Sequence, residues 1–212
     1  MRLLTETHSE QAKHWPSSGR HILAQHDESS VVVYQAYKPS IGEHVAAHGE
    51  LGGPEFSFAR MSWVKPNFLW MMYRSGWGTK PGQETTLAIR IRRDGFDALL
   101  RDAVHSSFVP GVYASEDEWK RRVAASSVRL QWDPDHDPQG RPLERRAIQI
   151  GMRGEALRSY AREWIVEIED VSPFVAEQRE RLATDVRSLV TPTERVYDVS
   201  DSETAARLRI GG

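Results

Sequence analysis

Val31-Val-Val-Tyr-Gln-Ala-Tyr37 is a run of β-branched and aromatic residues, bounded by Glu28-Ser-Ser30 on one side and Pro39-Ser40 on the other. Such a composition between such boundaries predicts a strand. Immediately after it, Ile41, His44, Val45 and His48 recur at helical spacing, and Gly49 stands where a left-handed residue ends a helix. The same alternation of types continues outward. Over residues 85–92, Leu87, Ile89 and Ile91 alternate with Ala88, Arg90 and Arg92, which predicts a strand with a basic polar face. Phe96, Leu99, Leu100, Ala103 and Val104 then mark an amphipathic helix begun at Asp94.

Residues 56–63 read as a short strand, and Pro66 takes the first position of a helix running to about Gly76. Residues 128–132 and 145–152 predict two further strands, joined by an Asp-, Pro- and Gly-rich loop over 133–142. A helix over 157–164, an extended stretch over 165–168 and a helix over 173–187 capped by Ser172 complete the pattern. Helices interspersed with strands of mixed connection predict an α+β fold: a single domain with a mixed, mainly central β-sheet flanked by helices. The polar, aperiodic residues 1–18 read as a mobile N-terminal tail, 19–198 as the domain, and 199–212 as a C-terminal tail with room for one short helix.

Composition bounds what this domain can do. A chain of 212 residues, 39% of them hydrophobic, buries about 70% of its unfolded surface, enough for one sizeable core. The absence of cysteine removes disulfides, thiol catalysis and thiolate metal sites. The first residues carry no sustained apolar stretch, and the longest apolar run, over 68–73, is far shorter than the ~20 residues that span a bilayer. A cytoplasmic protein without a membrane partner is the expectation. No P-loop, GxGxxG, GxSxG or kinase signature occurs, so the ATPase, Rossmann and α/β-hydrolase readings lose their usual support.

The formal charge of −2 hides a basic segment. Residues 60–93 hold seven basic residues against a single acid, Glu84, within an otherwise acidic chain. A local site for an anion, a nucleotide or a nucleic-acid backbone follows as the functional reading, with a solvated charged face as the alternative. Its densest part is Arg60-Met-Ser-Trp-Val-Lys-Pro-Asn-Phe-Leu-Trp-Met-Met-Tyr-Arg-Ser-Gly-Trp77. Trp70, Tyr73, Arg74 and Trp77 share one helical stripe, while Lys65 falls at the helix N-terminus, where the macrodipole attracts anions. Arg60, Lys65, Trp70 and Arg74 are therefore candidate ligand- or phosphate-binding residues. In Arg145-Arg-Ala-Ile-Gln-Ile-Gly-Met-Arg153, Ile148, Ile150 and Met152 point to the core, whereas Arg145, Gln149 and Arg153 share the other face, which makes Arg145 and Arg153 further candidate ligand- or phosphate-binding residues. Ala147 and Gly151 leave room around Gln149 for a ligand or a close backbone. Asp133, Asp135, His136 and Asp137 could take a hard cation, but Asx-Pro turns explain the same residues locally, and the His44/His48 pair lacks a third ligand, so no metal is expected.

Together with Val33-Tyr-Gln-Ala-Tyr37, the two long motifs and Gln131-Trp-Asp-Pro-Asp-His136 resemble the domain-of-unknown-function family numbered 4291 over nearly the whole chain after residue 18. That resemblance implies no reaction. The order strand, helix, glycine, then aromatic helix and strand, is also similar to the opening half of ADP-ribosyltransferase-like domains, which implies NAD as the cofactor or substrate. By that resemblance Gln35, Tyr73 and Gln149 occupy the catalytic places, although the first strand has no Arg or His and Gln149 is not a carboxylate. The functional expectation is an enzyme acting on a nucleotide or nucleic-acid end, with ADP-ribosyl transfer from NAD as its sharpest form. A non-enzymatic RNA-binding module and a protein-interaction domain are the alternatives.

Overall fold

The computed structural model describes residues 3–211. In chain order the elements are β1 (Thr5–Thr7), α1 (His8–Gln11), β2 (Leu23–Ala24), β3 (Ser30–Tyr37), α2 (Pro39–His48), β4 (Ser62–Val64), α3 (Phe68–Ser75), β5 (Thr85–Arg92), α4 (Arg93–Asp102) and β6 (Val104–His105). They continue with α5 (Glu116–Ala125), β7 (Val128–His136), β8 (Pro142–Met152), α6 (Gly154–Ser159), β9 (Ile165–Asp170), α7 (Ser172–Thr184), β10 (Val190–Pro192), β11 (Arg195–Val196) and α8 (Ser202–Leu208). The fold is α+β, as its sequence pattern implies.

Two sheets organise it. One is antiparallel, in the order β3-β5-β9; the other runs β4-β8-β7-β6, with β6 parallel to β7 and the remaining pairs antiparallel. The sheets are joined where Tyr34 and Lys65 exchange backbone hydrogen bonds of 2.7 and 3.1 Å. Between them lies the main core, in which Val31, Val33, Leu87, Ile89, Ile91, Ile148 and Ile150 are at most 1% exposed. The opposite face of the first sheet is covered as well: Val32, Tyr34 and Ala88 pack against Phe68, Leu69, Met72 and Val175 of α3 and α7. This is why β3 reads as a continuous apolar run instead of an alternating one.

Strand β3, helix α2 with its left-handed Gly49 (φ 69°) and strand β5 form where the sequence places them. Elsewhere long-range contacts shift the boundaries. The stretch over 56–63 contributes only Ser62–Val64 to a strand, because Phe56 and Phe58 pack on Tyr37 and on each other across a loop. Val104 leaves the preceding helix to pair β6 with β7. Strands β7 and β8 take up half of the expected 133–142 loop, and Pro134 is accommodated at a register shift beside His136. Helix α3 begins at Phe68 instead of Pro66, and Asn67 is its N-cap, accepting the Trp70 N–H at 2.7 Å.

Both chain ends expected as tails are docked. β1 pairs with β10, and Gln11, fully buried, donates to Thr191 Oγ1 (2.6 Å) and Pro192 O (3.1 Å) while accepting the Glu194 N–H (3.0 Å). Trp15 Nε1 donates to Glu194 O at 3.0 Å. At the other end Leu208 is fully buried, and its carbonyl accepts from Trp132 Nε1 at 3.0 Å. The reason is satisfaction of buried polar groups: the amide of Gln11 replaces water for a strand end 180 residues away. Gln11→Ala should therefore lower stability by about 1–3 kcal/mol, the cost of leaving buried donors and acceptors unpaired. Urea unfolding checks this; a mobile tail would leave the midpoint unchanged.

Candidate functional site

Beyond the Tyr34/Lys65 link, β3 and β4 part. The amide of Gln35 spans the gap, donating to Ser62 Oγ at 2.8 Å and Trp63 O at 3.2 Å, while Tyr160 OH donates to Gln35 Oε1 at 2.9 Å. Tyr37 OH lies 3.1 Å from Ser62 Oγ. The wedge opened by this divergence is a cavity of about 790 Å³, within the usual range for small-molecule sites. Its walls include Tyr37, Phe56 and Trp63, and four cationic residues line it: Lys38, Arg60, Lys65 and Arg74.

Lys65 is the unusual member. It is only 5% exposed, and among the described residues its ammonium has no ion pair or hydrogen bond. Burial, with Arg74 adding repulsion, pulls its pKa down to about 8, against a smaller opposing pull from Asp133. Arg60 and Arg74 likewise have no carboxylate partner among the described residues, whereas Lys38 at the rim pairs with Glu55 at 2.5 Å. Three cations without counter-ions around one concavity give that wall a positive potential.

The far wall is amide-rich. Gln131 and Gln149 sit opposite each other on β7 and β8 and line the same cavity. Their Nε2 groups hold the carboxylate of Asp133 from two sides, Gln131 on Oδ1 at 2.7 Å and Gln149 on Oδ2 at 2.8 Å. Each amide retains a second N–H and its oxygen for a ligand. Ile148 and Ile150 point into the core behind them, in agreement with the period-two reading.

The structure thus brings Gln35, Arg60, Lys65, Arg74 and Gln149 together, and places four other candidates elsewhere. Trp70 and Tyr73 turn away from the cavity and lie nearly parallel to the His136 ring, at centroid separations of 5.3 and 3.5 Å. Arg145, 6% exposed, clamps Asp135 Oδ2 with two bonds of 2.8 and 2.6 Å, donates to Pro16 O, and stacks on Trp15. Arg153 donates to the Ser126 and Ala124 carbonyls at the end of α5. A helical stripe fixes which side chains share a face, but not which of two neighbouring concavities that face meets.

Three further expectations change. The N-terminus of α3 is no site for a ligand anion, because the carboxylate of Glu194 already accepts from Phe68 N at 2.6 Å and Asn67 Nδ2 at 2.9 Å. Complete burial pushes the Glu194 carboxyl well above its usual range. The space beside Gly151 is filled by the chain itself: a Cβ there would lie 2.8 Å from Met61 Sδ and Trp63 Cε2. Gln35 has its amide committed to Ser62, Trp63 and Tyr160, so it shapes the wedge instead of facing a substrate. Nothing local in the sequence pairs Gln131 and Asp133 with Gln149, because β7 runs on past residue 132 and its register against β8 is set by long-range pairing.

The wedge, cationic on one wall and amide-rich on the other, is thus a built feature of an α+β domain. The chain belongs to the family described as domain of unknown function DUF4291, whose model matches residues 21–197. No curated protein matches the sequence. No helix among the described residues is long and apolar enough to cross a membrane.

Because Lys65 titrates near 8, an anion that restores its charge is bound more weakly as pH rises through that value. Binding a phosphate ligand at pH 8 should therefore take up a fraction of a proton, detectable by calorimetry in buffers of different ionisation enthalpy. Phosphate monoesters are already dianionic there, their second pKa being about 6. Lys65→Arg should abolish the uptake.

Proposed function

We propose that the wedge binds a nucleotide or the phosphorylated end of a nucleic acid and acts on it. What carries this reading is the convergence of Arg60, Arg74 and the buried, unpaired Lys65 on one cavity. Arg60 and Arg74 hold phosphate oxygens as charge-assisted donors, and Lys65 supplies the third cation on the floor. Tyr37, Phe56 and Trp63 offer aromatic surface for a base, and the amides of Gln131 and Gln149 meet ribose hydroxyls or the base edge. Asp133, held by those amides behind the cavity wall, offers the carboxylate that position 149 lacks.

In the sharpest form of this reading the ligand is NAD and the reaction is transfer of its ADP-ribosyl group. The stacking role that the sequence suggests for Tyr73 passes to the cavity aromatics, and Asp133 joins Gln149 on the ribose. An enzyme of this kind discriminates between termini, whereas a binding module that only tracks a backbone does not.

Calorimetry should show binding of NAD or a mononucleotide to the wild-type protein. Arg60→Ala and Arg74→Ala should each weaken it by about 1.5–3 kcal/mol, the worth of a hydrogen bond to a charged group. Short RNAs with 5′-phosphate, 5′-hydroxyl and blocked ends should bind unequally. Equal affinities with a steep salt dependence would favour the RNA-binding module, and no binding of any of these ligands would overturn the nucleotide reading.

A further inference from the structure

We propose that the ε-amine of Lys65 is a nucleophile that forms an imine with an aldehyde carrying a phosphate group, of the kind an open-chain sugar phosphate presents. This rests on the reading of the wedge as a phosphate site, and it gives that site a reactive centre.

The chain has five lysines. Lys13, Lys38 and Lys120 are each paired with carboxylates, through Glu10 (2.7 Å), Glu55 (2.5 Å) and Glu116 (3.7 Å), and Lys80 is exposed at a turn. Lys65 alone is buried, and it opens on a cavity instead of on a counter-ion. Its backbone is pinned in both directions by Tyr34, so its placement does not depend on a flexible loop. A desolvated lysine beside another cation is the usual way to obtain a nucleophilic amine near neutral pH. With the pKa at about 8, about a tenth of Lys65 is free amine at pH 7, against well under a thousandth for an ordinary lysine.

Arg60 and Arg74 line the same cavity and anchor the phosphate, leaving Lys65 for the carbonyl. The Nζ lone pair attacks the carbonyl carbon, and the carbonyl oxygen takes a proton as the nitrogen loses one, giving a carbinolamine. Loss of its hydroxyl as water, with one further proton supplied to the oxygen, leaves the C=N bond. Solvent in the open cavity passes these protons, while the field of the Asp133 carboxylate, held by Gln131 and Gln149, favours the positively charged nitrogen. No oxidant or reductant is required, and water reverses the step.

The probes are pyridoxal 5′-phosphate and 5′-deoxypyridoxal, which share an aldehyde that cannot close on a neighbouring hydroxyl and differ in the anion. The full-length protein is incubated with each, the imine is reduced with borohydride, and labelled peptides are located by mass spectrometry. Lys65 should be labelled about tenfold or more faster than Lys80 with the phosphorylated probe, about tenfold or more slowly with 5′-deoxypyridoxal, and more slowly when inorganic phosphate is added. Labelling led by Lys80, or equal rates at Lys65 with the two aldehydes, would overturn the proposal. Mononucleotide binding is measured on the same preparation: if it is present while Lys65 stays unlabelled, only the imine is refuted, and if it too is absent, the nucleotide reading falls with it.

Discussion

Everything distinctive about this domain follows from the pair of backbone hydrogen bonds between Tyr34 and Lys65. On one side of that link the two sheets share a closed apolar core; on the other they separate and leave a polar cavity. A single exchange of bonds therefore does two things. It fixes the relative position of β3 and β4, and it carries the Lys65 side chain to the point where they part. A lysine anchored in this way meets solvent through the cavity, so its charge depends on what occupies that space.

A second network holds the region around the cavity in place. The carboxyl group of Glu194 caps α3, its backbone is bonded by Gln11 and Trp15, and Arg145 ties the N-terminal segment to Asp135. Arg74 stands on α3, so the docked chain ends set the orientation of one of the three unpaired cavity cations. Two residues that read as ligand-binding in the sequence, Arg145 and Trp70, are instead part of this support. Buried ion pairs of the Arg145/Asp135 type give little net stability, but they penalise alternative arrangements in which one partner is left alone.

The site itself is a compromise between charge and fold. Placing an ammonium at 5% exposure costs free energy that a bound anion would recover, and the cationic wall is opposed by the Asp133 carboxylate only through the screen of two glutamine amides. Departures from the best local solution tend to lie where function is. The aromatic cluster of Trp70, Tyr73 and His136 shows the opposite case, in which rings at helical spacing are spent on packing.

The sequence by itself determined the α+β class, the extents of β3, α2 and β5, the inward face of Ile148 and Ile150, and the concentration of cations in residues 60–93. These are properties of period and composition, which act over a few residues and survive any arrangement of the elements. The tertiary structure decided which of two concavities each face of α3 meets, so Arg74 joins Lys65 while Tyr73 does not. It also decided that Gln11 and Glu194, 183 residues apart, need one another, and that Asp133 stands across from Gln149. Those outcomes depend on strand register and on where buried polar groups find partners, and neither leaves a local periodic signal for a sequence to show.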